Sequence, residues 1–336
     1  MSTDRILLDH GSGGKAGHRL IADLFLPQFK NPILEQLDDS AVFDMQGNRL
    51  AFSTDTYVVH PIFFPGGNIG DLAVNGTVND LAMCGAIPLY LSAGLIIEEG
   101  FSIADLEKIL TGMKKAAKKA DVLIVTGDTK VVPKGAVDKI FINTSGVGLI
   151  PKGVDISGHN ACPGDKVIIS GTIADHGIAV LTQREGMSFE SRIESDTAPL
   201  NRMVREMIGE GDHIHTLRDP TRGGVGTSLN EIAIQSKVGI EIFEETLPIR
   251  KEVSGICELL GFDPLYIANE GKLLAFVEPG GAEKVLKKMK ANQYGKYACM
   301  IGEVVSDFPG KVFMKTRIGG TRIVEMLTGE QLPRIC

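Results

Sequence analysis

The stretch "GDLAVNGTVNDLAMCGAIP", Gly70–Pro88, decides how the chain folds. Leu72, Val78, Leu81 and Ala82 are its apolar positions, and Gly85 and Pro88 close it, which predicts a helix from about Asp71. Asp71, Asn75 and Asn79 recur every fourth residue and therefore share one face. Asp80 lies about 100° around from Asn79. A helix face turned to water usually carries Lys and Glu, so a stripe of Asp and Asn suits the wall of a ligand pocket.

Upstream, "QLDDSAVF" (36–43) and "AFSTDTYVV" (51–59) flank the turn "MQGN" and predict an antiparallel hairpin. A short strand over Arg5–Asp9 is expected to run into the Gly-rich "HGSGGKAGHRLI" and a helix to about Phe29. Downstream, "PLYLSAGLII" reads as a buried strand. Ser102 then caps a helix with Asp105 three residues on and a stripe of Ile103, Leu106, Ile109, Leu110 and Met113. Strands "VLIVTGD" and "KIFINTSGVGLI" follow, and "PKGVDISGHNACPGD" (151–165) reads as a linker.

The second half mixes strands "KVIISG", "VGIEIF" and "KLLAFVE" with helices near 176–185, 198–209, 223–236, 252–260 and 281–291, before "KVFMKT" and "TRIVEML". Strands that pair so often as hairpins argue against a doubly wound sheet and for an α+β chain. The expected parts are an N-terminal domain over 1–155, a second domain over 160–306, and terminal strands with a mobile tail over 307–336.

Composition narrows the function. The 336 residues are 43% hydrophobic and 23% charged, ordinary for a globular enzyme. Forty glycines with no tryptophan imply many tight turns rather than a base-stacking surface. A net charge of -7 argues against nucleic acid and anionic membranes as partners. The first residues, "MSTDRILLDHGSGG", lack the basic and apolar regions of a signal peptide, and no apolar run approaches a membrane span, so a cytoplasmic location is expected. Five cysteines without a CxxC pair remove the usual zinc and thioredoxin patterns. His213 and His215 alternate along a strand, but no Cys or His cluster supports them as metal ligands.

The candidate chemistry lies in loops and strand ends. The Gly-rich loop is not a Walker A motif, since Ala16 follows Lys15. Gly11-x-Gly13-x-x-Ala16 fits the loose dinucleotide fingerprint, yet a hairpin follows it rather than the second strand of a βαβ unit. Successive glycines at Gly13 and Gly14 beside Lys15 can still cradle an anion through backbone N–H groups. Asp38 and Asp39 are adjacent, Asp55 ends a strand in "STDT", Asp80 lies on the helix and Asp128 ends a strand in "TGDT". Such acids beside Ser, Thr and Gly are where a Mg²⁺–phosphate site takes its oxygen ligands. Lys130 and Lys134 follow Asp128 and can neutralise phosphate, exchange a proton or simply face water. "RDPTRGGVGTSLNEIA" sets Arg218, Asp219 and Arg222 before a helix N-terminus, and "YIANEGKLLAF" puts Glu270 in a turn before a strand. Last comes "TGEQLPRIC": Gly319, Gly320 and Gly329 are flexible joints, Pro333 keeps the last residues extended, and the seven residues of "EQLPRIC" span at most about 25 Å, so an arm with Cys336 at its tip is physically possible, while a lone terminal Cys by itself means nothing.

In order, "GSGGK", "DDSAV", "STDT", "NDLAMCGAIP", "GDT", "DPTRGG" and "NEG" resemble the PurM-like, AIR synthase-related superfamily of ATP-dependent enzymes over nearly the whole chain. Within it, "GDTKVVPKG" and "PRIC" resemble the HypE-like hydrogenase maturation branch. The Gly-rich loop lacks the reactive Cys of selenophosphate synthetases. The resemblance implies a two-domain fold whose first domain forms a homodimer interface near the ATP site. It also implies a carbamoyl group received on Cys336 from the carbamoyltransferase HypF, its ATP-dependent dehydration to S-cyanate, and delivery of cyanide through HypC–HypD to the iron of nickel–iron hydrogenase. On that basis Asp38, Asp39, Asp55, Asp80 and Asp128 are expected to hold Mg²⁺ with ATP. Gly13, Gly14, Lys15, Asn79 and Lys130 are expected around the nucleotide, and Lys134 and Glu270 to activate the carboxamide and move its protons. A kinase or synthetase acting on a free substrate, a thiol-dependent maturation scaffold and a dinucleotide oxidoreductase are the competing readings.

Overall fold

The computed structural model describes residues 5–186, 193–208, 213–329, 332 and 334–336. The segment after Arg5 is a 3-10 turn, Leu8–Gly11, not the expected strand. Lys15–Leu20 (α1) passes through a π-helical turn, Ile21–Phe25, into Leu26–Phe29 (α2). Ala41–Met45 (β1) and Asn48–Tyr57 (β2) pair antiparallel. Gln46 and Gly47 between them both have positive φ, 51° and 83°, the two-residue turn that matches strand twist.

A two-residue hairpin, Phe63–Phe64 (β3) with Gly67–Asn68 (β4), leads into Ile69–Met83 (α3). Asn68 accepts from the Gly70 N–H at 2.8 Å while Asp71 accepts from the Asn68 N–H at 3.0 Å, a reciprocal cap. Gly85 stops the helix at φ 75°. Ile87–Glu98 (β5), Ile103–Ala120 (α4), Leu123–Val132 (β6) and Ile140–Ile150 (β7) complete the unit, with Ser102 capping α4 as expected. The first sheet runs β1-β2-β7-β5-β6, with β5 and β6 the parallel pair that α4 connects. Helices α3 and α4 cover one face. The other leaves Phe52, Tyr90, Ile96, Leu123, Val125 and Val131 exposed, most of them on or beside the edge strand β6.

The second sheet draws on Lys166–Ile169 (β8), Ile214–Arg218 (β9), Gly239–Phe243 (β10), Leu274–Val277 (β11), Cys299–Val305 (β12), Lys311–Lys315 (β13) and Thr321–Val324 (β14). Their order is β14-β13-β10-β12-β8-β11-β9. Asp175–Arg184 (α5), Asn201–Ile208 (α6), Gly224–Ser236 (α7), Lys251–Leu260 (α8) and Pro279–Ala291 (α9) pack around it. β12 lies mid-sheet although its Gly302 weakens the strand signal; a Cβ there would meet the Glu241 carbonyl at 2.1 Å, so the glycine permits the close approach. Because β13 pairs with β10 and β14 with β13, residues 311–324 belong to the second sheet rather than to a separate terminal part. The break between the sheets falls at 151–165, and the Gly-rich segment packs on the second unit, with His18 against Glu231 at 2.8 Å.

Candidate active site between the two sheets

The polar stripe of α3 faces the second domain. Asn75 donates to Thr197 Oγ1 at 3.1 Å. Asn79 donates to the Ala198 carbonyl at 3.0 Å and to the Glu270 carbonyl at 3.4 Å, and accepts from the Leu200 N–H at 2.8 Å. Both amide hydrogens are engaged within the protein, so Asn79 serves here as an interdomain tie. Asp38 is engaged likewise: its two oxygens accept from Ser157 Oγ and the Gly158 N–H, each at 2.8 Å, pinning the linker.

Its neighbour Asp39 turns to Arg218, which also takes Glu231 at 2.5 Å. Burial alone would raise Glu231, but Arg218 and His18 outweigh it and hold the carboxyl at about 2. Burial raises Asp39 against the pull of Arg218. The other acids near it have less cationic cover. Asp80 accepts from Ser53 Oγ at 2.7 Å and is pushed well up by burial and then by Asp219, Asp55 and Asp39. Asp219, which follows Arg218 out of β9, is pushed up to about 6 by burial, with Asp55 adding to it and Arg218 opposing.

Asn269 joins the loops that carry this chemistry. It donates to the Pro220 carbonyl at 2.9 Å and accepts from the Ala174 N–H at 2.8 Å, so the "RDPTRGG" loop, the "NEG" turn and the start of α5 move as one. Next along, the Glu270 N–H donates to Asp196 at 2.9 Å. A Cβ at Gly271 would overlap the Asp196 carbonyl at 1.8 Å, which explains the glycine. Burial, then Asp55, Asp219 and Asp196, raise the Glu270 carboxyl well above its ordinary range. Its Oε1 is buried without a hydrogen-bond partner among the described residues.

Cys336 lies against this carboxyl, 9% exposed within the first domain's apolar core. Burial pushes its thiol up, Glu270 and Asp55 add to that, and Arg222 opposes. A cavity of about 220 Å³ opens beside it, lined among others by Gly11, Ser12, Arg222, Tyr266 and Leu332. Gly13, at φ 74°, sets a would-be Cβ 3.0 Å from the Arg222 Cβ, and at Gly14 a Cβ would meet the Leu327 carbonyl at 2.4 Å. The Gly-rich loop and the chain's last residues thus share one cavity.

The remaining candidates lie elsewhere. Lys15 pairs with Glu325 at 3.0 Å. Asp128 and Lys130 pair at 2.5 Å on exposed β6, where Lys130 holds the carboxylate below its usual range. The row Asp55–Thr144–Ala93–Gly127 separates them from Asp55 by three strand spacings, about 14 Å. Lys134 lines another groove with Phe63, Glu98 and Asp105. Arg222 and Asp219, by contrast, belong to the centre; their signal was the "DPTRGG" turn.

Buried carboxylates in excess of their cations supply the hard oxygen ligands that Mg²⁺ takes. Among the described residues no three His, Cys, Asp or Glu side chains converge as a finished cage. That combination fits a cation arriving with phosphate oxygens, which Asp55, Asp80 and Asp219 would hold from the protein side.

The two sheets correspond to two known domains: residues 37–150 match the N-terminal domain of AIR synthase related protein, and residues 162–315 its C-terminal domain. Carbamoyl dehydratase HypE of Rhizobium leguminosarum bv. viciae is 52% identical, over 100% of this chain and 96% of that protein. A crystal structure of a HypE–HypF complex superposes with a TM-score of 0.88 at 50% identity, covering 92% of this chain and 99% of that one. HypE in complex with ATP gives 0.84 at 52% identity, covering 99% and 100%. The chain belongs to the HypE family of carbamoyl dehydratases.

Proposed function

We propose that this protein is an ATP-dependent carbamoyl dehydratase acting on its own Cys336. The observation that carries the reading is a buried thiol set against a carboxyl of raised proton affinity, at a cavity lined by the Gly-rich loop and Arg222. A carboxamide oxygen is a poor leaving group. Transfer of the γ-phosphoryl group to that oxygen makes it phosphate, and loss of both N–H protons with departure of phosphate leaves S–C≡N. The thiocarbamate and ATP become thiocyanate, ADP and phosphate, the water's oxygen leaving in the phosphate. Phosphoryl transfer of this kind depends on positioning and charge stabilisation. Arg222 and the part of the Gly-rich loop that lines the cavity, Gly11 and Ser12, are suited to the phosphate charge, and Glu270, with its unpaired oxygen, to the N–H protons. Bound Mg²⁺ would neutralise the phosphates from the side of Asp55, Asp80 and Asp219.

In the same reading HypF supplies the carbamoyl group, and the nitrile passes through HypC–HypD to nickel–iron hydrogenase. Two copies pair through the open face of the first sheet, which the exposed apolar residues on and beside β6 support. Pairing brings Asp128 and Lys130 of one copy towards the other. Lys134 serves from the tail's entry, since its loop carries Asp138, whose carboxylate takes Arg334 at 2.6 Å.

Intact mass of the Cys336 peptide tests the proposal. With carbamoyltransferase, carbamoyl phosphate and ATP, wild type should gain a carbamoyl group and then lose one water. Glu270→Gln should be carbamoylated normally and keep the water, its dehydration slowed about 100-fold or more. An unmodified Cys336 would redirect the search to a free substrate.

A further inference from the structure

Residues 334–336 lie in an extended groove. The Val58 N–H donates to the Cys336 carbonyl and the His60 N–H to the Arg334 carbonyl, each at 3.0 Å. Two side chains of α5, buried His176 and half-buried Arg184, grip the same segment from the second domain. His176 Nε2 meets the Ile335 carbonyl at 2.8 Å, and Arg184 Nη2 donates to the Arg334 carbonyl at 2.9 Å while bridging to the His60 carbonyl at 2.6 Å. A carbonyl only accepts, so Nε2 carries the imidazole proton and Nδ1 accepts from the Ser195 hydroxyl at 2.7 Å. Ser195 in turn is fixed by the Thr197 N–H at 3.1 Å.

We propose that His176, oriented by Ser195, and Arg184 are positioning residues that set how long Cys336 stays in the site. This deepens the dehydratase reading and rests on it, because that reading requires the thiol to meet a carbamoyltransferase outside and ATP inside. Every bond of the grip goes to a backbone carbonyl and none to sulfur. The grip therefore holds the tail alike whether the sulfur is free, carbamoylated or cyanated. Chemical state is felt instead at the groups around the sulfur, Glu270, Arg222 and Asp55. Dwell time and chemistry are thus separable, and variants of α5 should shift the partition between loading and dehydration without touching the reacting atoms.

The test is alkylation of the full-length chain by iodoacetamide, read peptide by peptide, with exposed Cys162 as reference and buried Cys84 and Cys257 as reporters of general unfolding. Arg184→Ala should speed Cys336 labelling about tenfold or more relative to Cys162, with Ser195→Ala moving it the same way by less. Carbamoylation of Arg184→Ala should be undiminished while its dehydration falls, and Arg184→Lys should restore part of the difference. Unchanged Cys336 labelling in both variants overturns the proposal. Labelling that rises equally at Cys84 and Cys257 in Ser195→Ala also overturns it, since a latch frees the tail alone. If labelling responds but no carbamoyl group ever forms on Cys336, the dehydratase reading fails and the latch stands.

Discussion

Asp219 illustrates how much one carboxyl here depends on its surroundings. Its pKa rises from 3.8 to about 6 on folding, with burial the first cause. The folded chain therefore binds this proton more tightly than the unfolded chain. The stability it contributes is fully present below pH 3.8 and is lost as pH rises through about 6. Asp219→Asn should recover up to about 3 kcal/mol at pH 7, and melting curves between pH 4 and 7.5 should show a weaker fall than wild type. An identical pH profile would remove Asp219 from the acidic centre. At this scale the sequence yields residue types better than partners. Asp38 and Asp39 are adjacent and chemically equal, yet one pins the linker and the other meets Arg218; only tertiary structure separates them. Glu270 could be placed in a turn before a strand, but its role came only from the family resemblance of "NEG". His176 gave no signal, since a helical histidine is more often plain core.

The elements were mostly legible from periodicity and caps. Ser102, the Gln46–Gly47 turn and the stop at Gly85 all fall where local chemistry puts them. The stripe on α3 was readable as a buried polar face, but its destination was not: Asn75 and Asn79 bind the 197–200 segment of the second domain. Strand β6 was legible as a strand, but its exposure was not. Nearly all its residues are exposed in one copy, including Val125 and Val131, so neither face is covered as a strand's apolar alternation would require. If two copies cover it, Val125→Glu should yield a monomer by light scattering, with the monomer's own stability changed by no more than about 0.5 kcal/mol. A pair that survives this substitution would place the interface elsewhere.

Across the molecule, the site exists only because both sheets contribute to it. Asp55 and Asp80 come from the first unit, Asp219, Arg222 and Glu270 from the second, and Cys336 from the far end of the chain. Ties such as Asp39–Arg218 and Asn79 with residues 198 and 200 fix the relation. ATP with Mg²⁺ should therefore stabilise the whole chain by about 2.7 kcal/mol at a hundredfold excess over Kd, seen as one melting transition moved upward, and EDTA should remove most of the gain. Two transitions, only one responding, would confine the nucleotide to a single domain. No described helix is long and apolar enough to cross a membrane.

The burial of Cys336 has a chemical consequence for the thiol itself. Peroxides and disulfides react with thiolates, and a thiol kept protonated in an apolar core offers almost none. Placed there, the last thiol of the chain is held in a form that oxidants pass over, so in aerated buffer oxidation should reach exposed Cys162 well before Cys336.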